Sequence, residues 1–115
     1  GVAAGKNFYH SGSCGPWIVT SDLLSDPSSL SVTTRVNGEQ RQHSRVGEMI
    51  FSVEELVAYM SQIMPLESGD IIATGSPEGT GGSMEPPVWL SAGDQVEFEV
   101  PGIGLLRNGV IDEAI

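Results

Sequence analysis

The fold is decided by the stretch Leu30-Ser-Val-Thr-Thr-Arg-Val-Asn-Gly-Glu-Gln-Arg-Gln-His-Ser44. Polar and apolar side chains alternate from Leu30 to Val36, as they do in a half-buried strand. The dipeptide Asn37-Gly38 then predicts a type I′ turn, because both central residues of that turn need a positive φ. The returning segment 39–44 carries no apolar residue. We therefore predict an antiparallel hairpin whose second strand lies at an exposed sheet edge.

Further strands are predicted on both sides of this hairpin. Trp17-Ile-Val-Thr20 and Ile71-Ile-Ala73 are typical of buried strands, and Gln95–Val100 alternates again before a turn at 101–102. Residues 105–111 should return beside that alternating strand. The pattern predicts six or seven strands in all, which makes the fold mainly β.

Two short segments share the pattern Leu-x-x-Gly-Asp, namely Leu66–Asp70 and Leu90–Asp94. Gly and Asp are typical turn residues, since Gly accepts a positive φ and Asp bonds to nearby backbone N–H groups. Each segment therefore predicts a tight turn that starts a strand.

One helix is predicted, beginning at Ser52. Ser52 and Glu55 have the S-x-x-E spacing of a capping box. Apolar residues then recur at helical spacing through Met64, and Pro65 ends the helix. We expect this apolar stripe to pack in the core. The predicted fold class is mainly β with one clear helix.

Composition excludes several classes of partner. Five Lys and Arg face fifteen Asp and Glu, giving a formal charge of -10. This charge repels nucleic acid and anionic membrane surfaces. No run approaches the roughly 18 apolar residues of a membrane span, and no segment is typical of a signal peptide. We expect a cytoplasmic protein in which Cys14, the single cysteine, is an inert side chain.

The stretch Thr74-Gly-Ser-Pro-Glu-Gly-Thr-Gly-Gly82 is the first candidate site. It fits a flexible connection, or a cradle for an anion or carboxylate built from a hydroxyl and approachable backbone. Its glycine spacing matches neither common nucleotide-binding loop. Lys6, the only lysine, is the second candidate, either solvated or an attractor for an anionic substrate. The carboxylates do not converge in sequence, so no metal ligands are assigned.

Six short blocks succeed one another along the chain. They are Gly5-Lys-Asn-Phe8, Gly15-Pro-Trp-Ile-Val-Thr20, Thr34-Arg-Val-Asn-Gly-Glu39, Met49-Ile-Phe-Ser52, Leu66-Glu-Ser-Gly-Asp-Ile-Ile-Ala-Thr-Gly-Ser-Pro77 and Pro101-Gly-Ile-Gly-Leu-Leu-Arg-Asn108. In these blocks and their order the chain closely resembles the C-terminal part of the fumarylacetoacetate hydrolase family. Departures at Ser76, Tyr9-His10 and Arg45–Glu48 bear on the substrate rather than on the fold.

The resemblance implies a mixed β-sandwich roll, incomplete in this chain, and a homodimer. It implies that Lys6 stabilises an enolate, while Thr74 with the neighbouring Gly75 binds a substrate carboxylate. It also implies a divalent metal, Mg²⁺ or Mn²⁺, whose ligands lie upstream of the lysine block. Gly1–Asn7 reads like the middle of a longer chain, and the resemblance implies that residues 1–115 are the C-terminal portion of one catalytic domain.

The implied activity is metal-dependent hydrolysis of a carbon–carbon bond in a 2,4-dioxo acid, such as an acylpyruvate or a fumarylacetoacetate-like substrate. The same scaffold also supports a decarboxylase, isomerase or hydratase of a related 2-oxo acid. A different alternative is a catalytically inert fragment or binding module. The substrate partner is thus expected to be a small 2-oxo acid.

Overall fold

The structure is a computed structural model that describes residues 4–113. It contains four strands, β1 Ser31–Val36, β2 Glu39–Arg45, β3 Gln95–Val100 and β4 Gly104–Gly109, and one helix, α1 Val53–Ile63. Short 3-10 helices lie at Ala4–Lys6, Pro27–Ser29, Val46–Glu48 and Gly81–Ser83. The predicted class, mainly β with one helix, is confirmed.

The strands form one antiparallel sheet in the order β2-β1-β3-β4. Asn37 and Gly38, between β1 and β2, have φ values of 51° and 82°. Both are positive, as the predicted turn requires. The hairpin and the edge position of its second strand are confirmed, and β1 and β3 occupy the centre of the sheet.

The edge strand contains a β-bulge that the sequence did not predict. Thr34 lies opposite Gln42, whereas Arg35 lies opposite Gln40. Arg41 is therefore an extra residue in β2 without a counterpart in β1. Such bulges bend an edge strand and change the direction of its side chains.

The hairpin turn is tied to the start of β3 through the side chain of Asn37. Its Oδ1 accepts from the N–H of Gln95 at 2.9 Å, and its Nδ2 donates to Asp94 Oδ1 at 2.8 Å. The backbone N–H of Asn37 also donates to the Gln95 carbonyl at 2.9 Å. These bonds join residues 57 and 58 positions apart, so the turn fixes how the hairpin meets β3.

Helix α1 begins as predicted. Ser52 Oγ accepts from the N–H of Glu55 at 3.2 Å, and Glu55 Oε2 accepts from the N–H of Ser52 at 2.7 Å. This reciprocal pair is the predicted capping box. The expectation that the apolar stripe packs in a core is wrong for this chain, because none of the helix residues is buried and Ile63 is 62% exposed.

Two of the predicted strands are absent from the described residues, which hold four strands rather than six or seven. Segments 17–20 and 71–73 are irregular, and Trp17 and Ile71 are 62% and 78% exposed. Within residues 4–113 neither segment has a strand beside it to complete a hydrogen-bonded ladder. Apolar composition alone therefore did not make them strands.

The buried core of the described chain is small. Among residues 4–113 Val96 in β3 is the buried apolar residue, and Thr33 and Thr34 in β1 are buried as well. Among residues 4–113 no helix combines the length and apolar character that crossing a membrane requires. Most of the large apolar side chains outside the sheet are exposed.

Candidate functional site

The candidate loop lines an open groove of about 680 Å³. Thr74 and Gly75 line it, as do Arg45 at the end of β2 and Glu48 and Phe51 in the segment that joins β2 to α1. These two consecutive residues, Thr74 and Gly75, therefore line a space large enough for a small organic acid.

Gly75 leaves its side of the groove open. Its φ is 108°, a conformation that L side chains rarely adopt, and a Cβ added there meets no atom within 4 Å. The exposed Thr74 precedes it, so a hydroxyl and an approachable backbone lie next to each other. This pair can donate hydrogen bonds to a carboxylate.

Glu48 is engaged by its own neighbours rather than free in the groove. Its Oε2 accepts from the backbone N–H of Arg45 at 3.0 Å and from Ser44 Oγ at 3.3 Å. The Arg45 N–H lowers the pKa of the Glu48 carboxyl below its ordinary value, and the Ser44 hydroxyl acts in the same direction. Glu48 thus serves as a charged cap for the segment after β2.

A second cavity, of about 420 Å³, lies on the same face of the sheet. Thr34 and Gln42 line it from β1 and β2, and Gly79 and Trp89 line it from the opposite side. Residues 74–78 line the groove, whereas residues 79–81 line this cavity. The loop therefore passes between the two spaces.

Arg41 is a partly buried cation that lines the second cavity. Its Nη1 lies 3.1 Å from the sulfur of Met84, and its Nε lies 3.8 Å from the Glu39 carboxylate. The Nε is buried without a hydrogen-bond acceptor. The carboxylate of Glu39 is mostly exposed, which weakens its attraction for Arg41.

Lys6 lies at the end of the first 3-10 helix and is exposed. It lines neither of the two cavities described above. The structure thus places Thr74 and Gly75 at the groove, whereas Lys6 does not line it. The shared site inferred from the resemblance stays a prediction.

The described residues do not supply a metal site. Across residues 4–113 no three His, Cys, Asp or Glu side chains are grouped closely enough to hold an ion. The ring of His43 shares a 2.9 Å hydrogen bond with Thr33, and the ring of His10 stacks on Tyr9. The donor set of this part of the chain therefore does not fit Mg²⁺ or Mn²⁺.

Sequence reasoning missed the residues that support the loop. Gln42 Nε2 donates to the Pro77 carbonyl at 2.8 Å, and Gly79 approaches the backbone of Arg41. A polar edge strand was predicted, but its pattern does not say which amide faces a loop 35 residues away. The only available signal was the glycine at position 79, which is compatible with many kinds of turn.

Comparison with known proteins agrees with the sequence motifs. A family model described as "Fumarylacetoacetate (FAA) hydrolase C-terminal" matches residues 1–111. A rat protein named "Oxaloacetate tautomerase Fahd2a, mitochondrial" is 42% identical over 107 residues, which are 93% of this chain and 34% of the relative.

Solved structures are similar in both fold and sequence. A fumarylacetoacetate hydrolase from Exiguobacterium antarcticum superposes with a TM-score of 0.82 at 45% identity, over 86% of this chain and 35% of that one. Maleylpyruvate hydrolase from Sphingobium sp. SYK-6, in complex with manganese(II) and pyruvate, gives a TM-score of 0.75 at 35% identity, over 84% and 34%. The chain spans about a third of the length of the curated relatives it matches.

Proposed function

The chain belongs to the fumarylacetoacetate hydrolase family, and on this basis we propose that it forms the C-terminal part of the catalytic domain of an enzyme acting on a 2-oxo acid. The family contains hydrolases, isomerases and tautomerases. The observation that carries the proposal is the position of Thr74 and Gly75 at the open groove. A carboxylate is the group of a 2-oxo acid that such donors recognise.

The proposed reaction is hydrolysis of a carbon–carbon bond in a 2,4-dioxo acid. Water adds to the C4 carbonyl, and the C3–C4 bond then breaks. Its electron pair moves onto C3 and the C2 oxygen as an enolate, while C4 leaves as a carboxylic acid. Protonation at C3 completes the 2-oxo acid product. The enolate is the species whose charge the protein must stabilise.

Three residues of this chain have proposed roles. The Thr74 hydroxyl and the Gly75 backbone hold the substrate carboxylate, and the Lys6 ammonium neutralises the charge that develops on the enolate oxygen. The chain is acidic overall, so its single lysine provides a local positive charge for an anionic substrate. This arrangement requires the Lys6 segment to approach the groove in the complete protein.

A divalent metal, Mg²⁺ or Mn²⁺, is part of the proposal. Its ligands would come from outside the described residues, because residues 4–113 offer no suitable group. The complex of maleylpyruvate hydrolase with manganese(II) and pyruvate supports a metal and a 2-oxo acid in this family.

Tautomerisation is the second candidate, favoured by the name of the rat relative, an oxaloacetate tautomerase. It passes through the same kind of enolate, but only a proton moves and no carbon–carbon bond breaks. The roles proposed for Lys6 and Thr74 are the same in both reactions. The two candidates differ in the fate of the substrate and not in what these residues do.

One assay separates the candidates. The complete protein is incubated with Mn²⁺ and an acylpyruvate, and separately with the enol form of oxaloacetate, while pyruvate release and enol absorbance are monitored. Hydrolysis predicts pyruvate from the acylpyruvate, whereas tautomerisation predicts faster decay of the enol signal without cleavage. Inactivity on both substrates would contradict the proposed function. Residues 1–115 alone, as the matched control, should bind no Mn²⁺ and remain inactive.

The predicted homodimer and cytoplasmic location remain predictions. The rat relative carries a mitochondrial designation, so the compartment has to be measured for this protein itself. Size-exclusion chromatography with light scattering on the complete protein measures the assembly directly.

A further inference from the structure

The loop that carries Thr74 has few bonds of its own. Within the described chain, residues 71–79 make no backbone–backbone hydrogen bond. A loop without such bonds can adopt many conformations, and ordering it when a ligand binds costs conformational entropy. Something outside its own backbone must therefore hold it if it is to present a fixed pair of donors.

One side chain of the sheet reaches this loop. Gln42 Nε2 donates to the Pro77 carbonyl at 2.8 Å, three residues after Thr74. Both partners are half-buried. Among residues 4–113 this is the single hydrogen bond that joins 71–79 to the sheet. Losing a partly buried amide-to-carbonyl bond of this kind shifts a local equilibrium about fivefold.

The β-bulge accounts for the availability of this amide. Arg41 is the extra residue of β2, and it lies immediately before Gln42. Both are half-buried and both line the cavity of about 420 Å³. Adjacent residues of a regular strand point to opposite faces, so the bulge explains how these neighbours share one cavity.

The loop touches the same bulge a second time at Gly79. A Cβ added to Gly79 would lie 2.2 Å from the Arg41 carbonyl oxygen, and the φ of Gly79 is 95°. The neighbouring atom belongs to the Arg41 backbone and not to a flexible side chain, so it cannot easily move aside. Only glycine fits at this position with the loop seated against β2.

We propose that Gln42 and Gly79 are positioning residues that clamp the loop onto the bulge of β2 and thereby hold Thr74 and Gly75 in place for the substrate carboxylate. The effect of the clamp on the substrate carboxylate rests on the proposed function, whereas the contacts that form the clamp do not depend on it. The clamp fixes the loop at Pro77 and at Gly79, on the side of the groove that Thr74 and Gly75 line. A pre-positioned loop binds its ligand without first being ordered.

The test compares Gln42→Met with Gln40→Met in the complete protein. Both replacements keep the length of the side chain and remove its amide. Gln40 lies on the same strand but is exposed, and none of its side-chain atoms takes part in a hydrogen bond within residues 4–113. Two readouts are measured on each variant: the rate at which proteinase K cuts within 74–82, monitored by intact mass, and kcat and KM for the 2-oxo acid.

The clamp predicts that Gln42→Met is cut several times faster than wild type and that its KM rises about fivefold while kcat changes less than about threefold. Gln40→Met should match wild type in both. Equal cutting of the two variants would overturn the clamp. Faster cutting with an unchanged KM would overturn its role in positioning.

The two proposals fail in distinguishable ways. If wild type acts on no 2-oxo acid yet Gln42→Met is cut faster, the proposed function and the positioning role fail while the physical restraint stands. Gly79→Ala, compared with Gly93→Ala, gives an independent variant, because Gly93 has a similar φ of 94° but a Cβ there meets no atom within 4 Å. Gly79→Ala should raise both the cutting rate and KM; a result equal to that of Gly93→Ala would overturn the contact at Gly79.

Discussion

The turns before residues 71 and 95 have the same local structure but lead to different outcomes. In the first turn Asp70 Oδ2 accepts from the N–H of Glu67 at 2.8 Å, and in the second Asp94 Oδ2 accepts from the N–H of Ser91 at the same distance. Gly69 has a φ of 99° and Gly93 a φ of 94°. The shared sequence pattern thus produces one turn twice.

The segments after the two turns differ. Residues 95–100 form β3, which pairs with β1 on one side and β4 on the other. Residues 71–73 pair with nothing among residues 4–113, and they lead into the loop that carries Thr74. A turn is fixed by nearby side chains, whereas a strand also needs neighbours in space. The paired segment provides the sheet, and the unpaired one leads into the proposed site.

Among the variants that test this comparison, Lys6→Ala should cause the largest change in kcat. The lysine lies at the end of the first 3-10 helix, outside the sheet, and in the proposed reaction its loss would leave the enolate charge unstabilised. We expect kcat of the complete protein to fall by about a thousandfold with little change in thermal midpoint. Arg107→Ala is the control from the paired region, where Arg107 bonds Glu97 across strands at 2.7 Å. Near-normal turnover in Lys6→Ala would remove the proposed role of the lysine.

Thr74→Val should give the next largest effect, because it removes the hydroxyl and keeps the shape of the side chain. A hydrogen bond to a charged group is worth about 2 kcal/mol, which predicts a fall in kcat/KM of about thirtyfold. Thr33→Val is the matched variant in the sheet, where the hydroxyl bonds the His43 ring. It should lower the free energy of unfolding and leave kcat/KM unchanged. A lower kcat/KM in Thr33→Val with an unchanged kcat/KM in Thr74→Val would contradict the comparison.

Substituting the two turn aspartates compares the turns directly. Asp94 accepts from Asn37 in addition to Ser91, whereas Asp70 accepts from Glu67. We expect Asp94→Ala to lower the urea midpoint more than Asp70→Ala does, because it also releases the hairpin turn from β3. Equal midpoints would show that the bond to Asn37 contributes nothing measurable.

The smallest expected effect is on the pH dependence of folding stability. The Ser91 N–H, and next the Asn37 amide, lower the pKa of Asp94 below its ordinary value. A carboxyl with a lowered folded-state pKa stabilises the fold above its unfolded value of about 4, and this contribution is lost as pH falls through the folded pKa. Urea midpoints between pH 7 and pH 3 should therefore fall less steeply in Asp94→Asn than in wild type. Identical slopes would contradict the prediction.

Local signals in the sequence predicted much of this fold. The Asn37-Gly38 turn, the Ser52 capping box and both Gly-Asp turns depend on residues at most three positions apart. The bulge at Arg41 arises in the pairing of β1 with β2, and no residue pattern in either strand predicted it. Segments 17–20 and 71–73 were wrongly predicted for another reason, because a strand needs a neighbour in space that a local pattern does not encode.

The candidate site was predictable to a similar degree. Thr74 and Gly75 stood out through a motif, and the structure places both at one groove. Gln42 bonds the loop from the sheet edge, and Gly79 lets the loop approach that edge, so their part emerged only from the three-dimensional contacts. Whether Lys6 reaches the groove depends on chain packing that the sequence pattern does not encode.

The most direct test of the proposed site is a crystal structure of the complete protein with Mn²⁺ and pyruvate. We predict that the pyruvate carboxylate lies about 3 Å from Thr74 Oγ1 and from the Gly75 nitrogen. Pyruvate held by other residues, with Thr74 and Gly75 facing an empty groove, would contradict the proposed role of the loop.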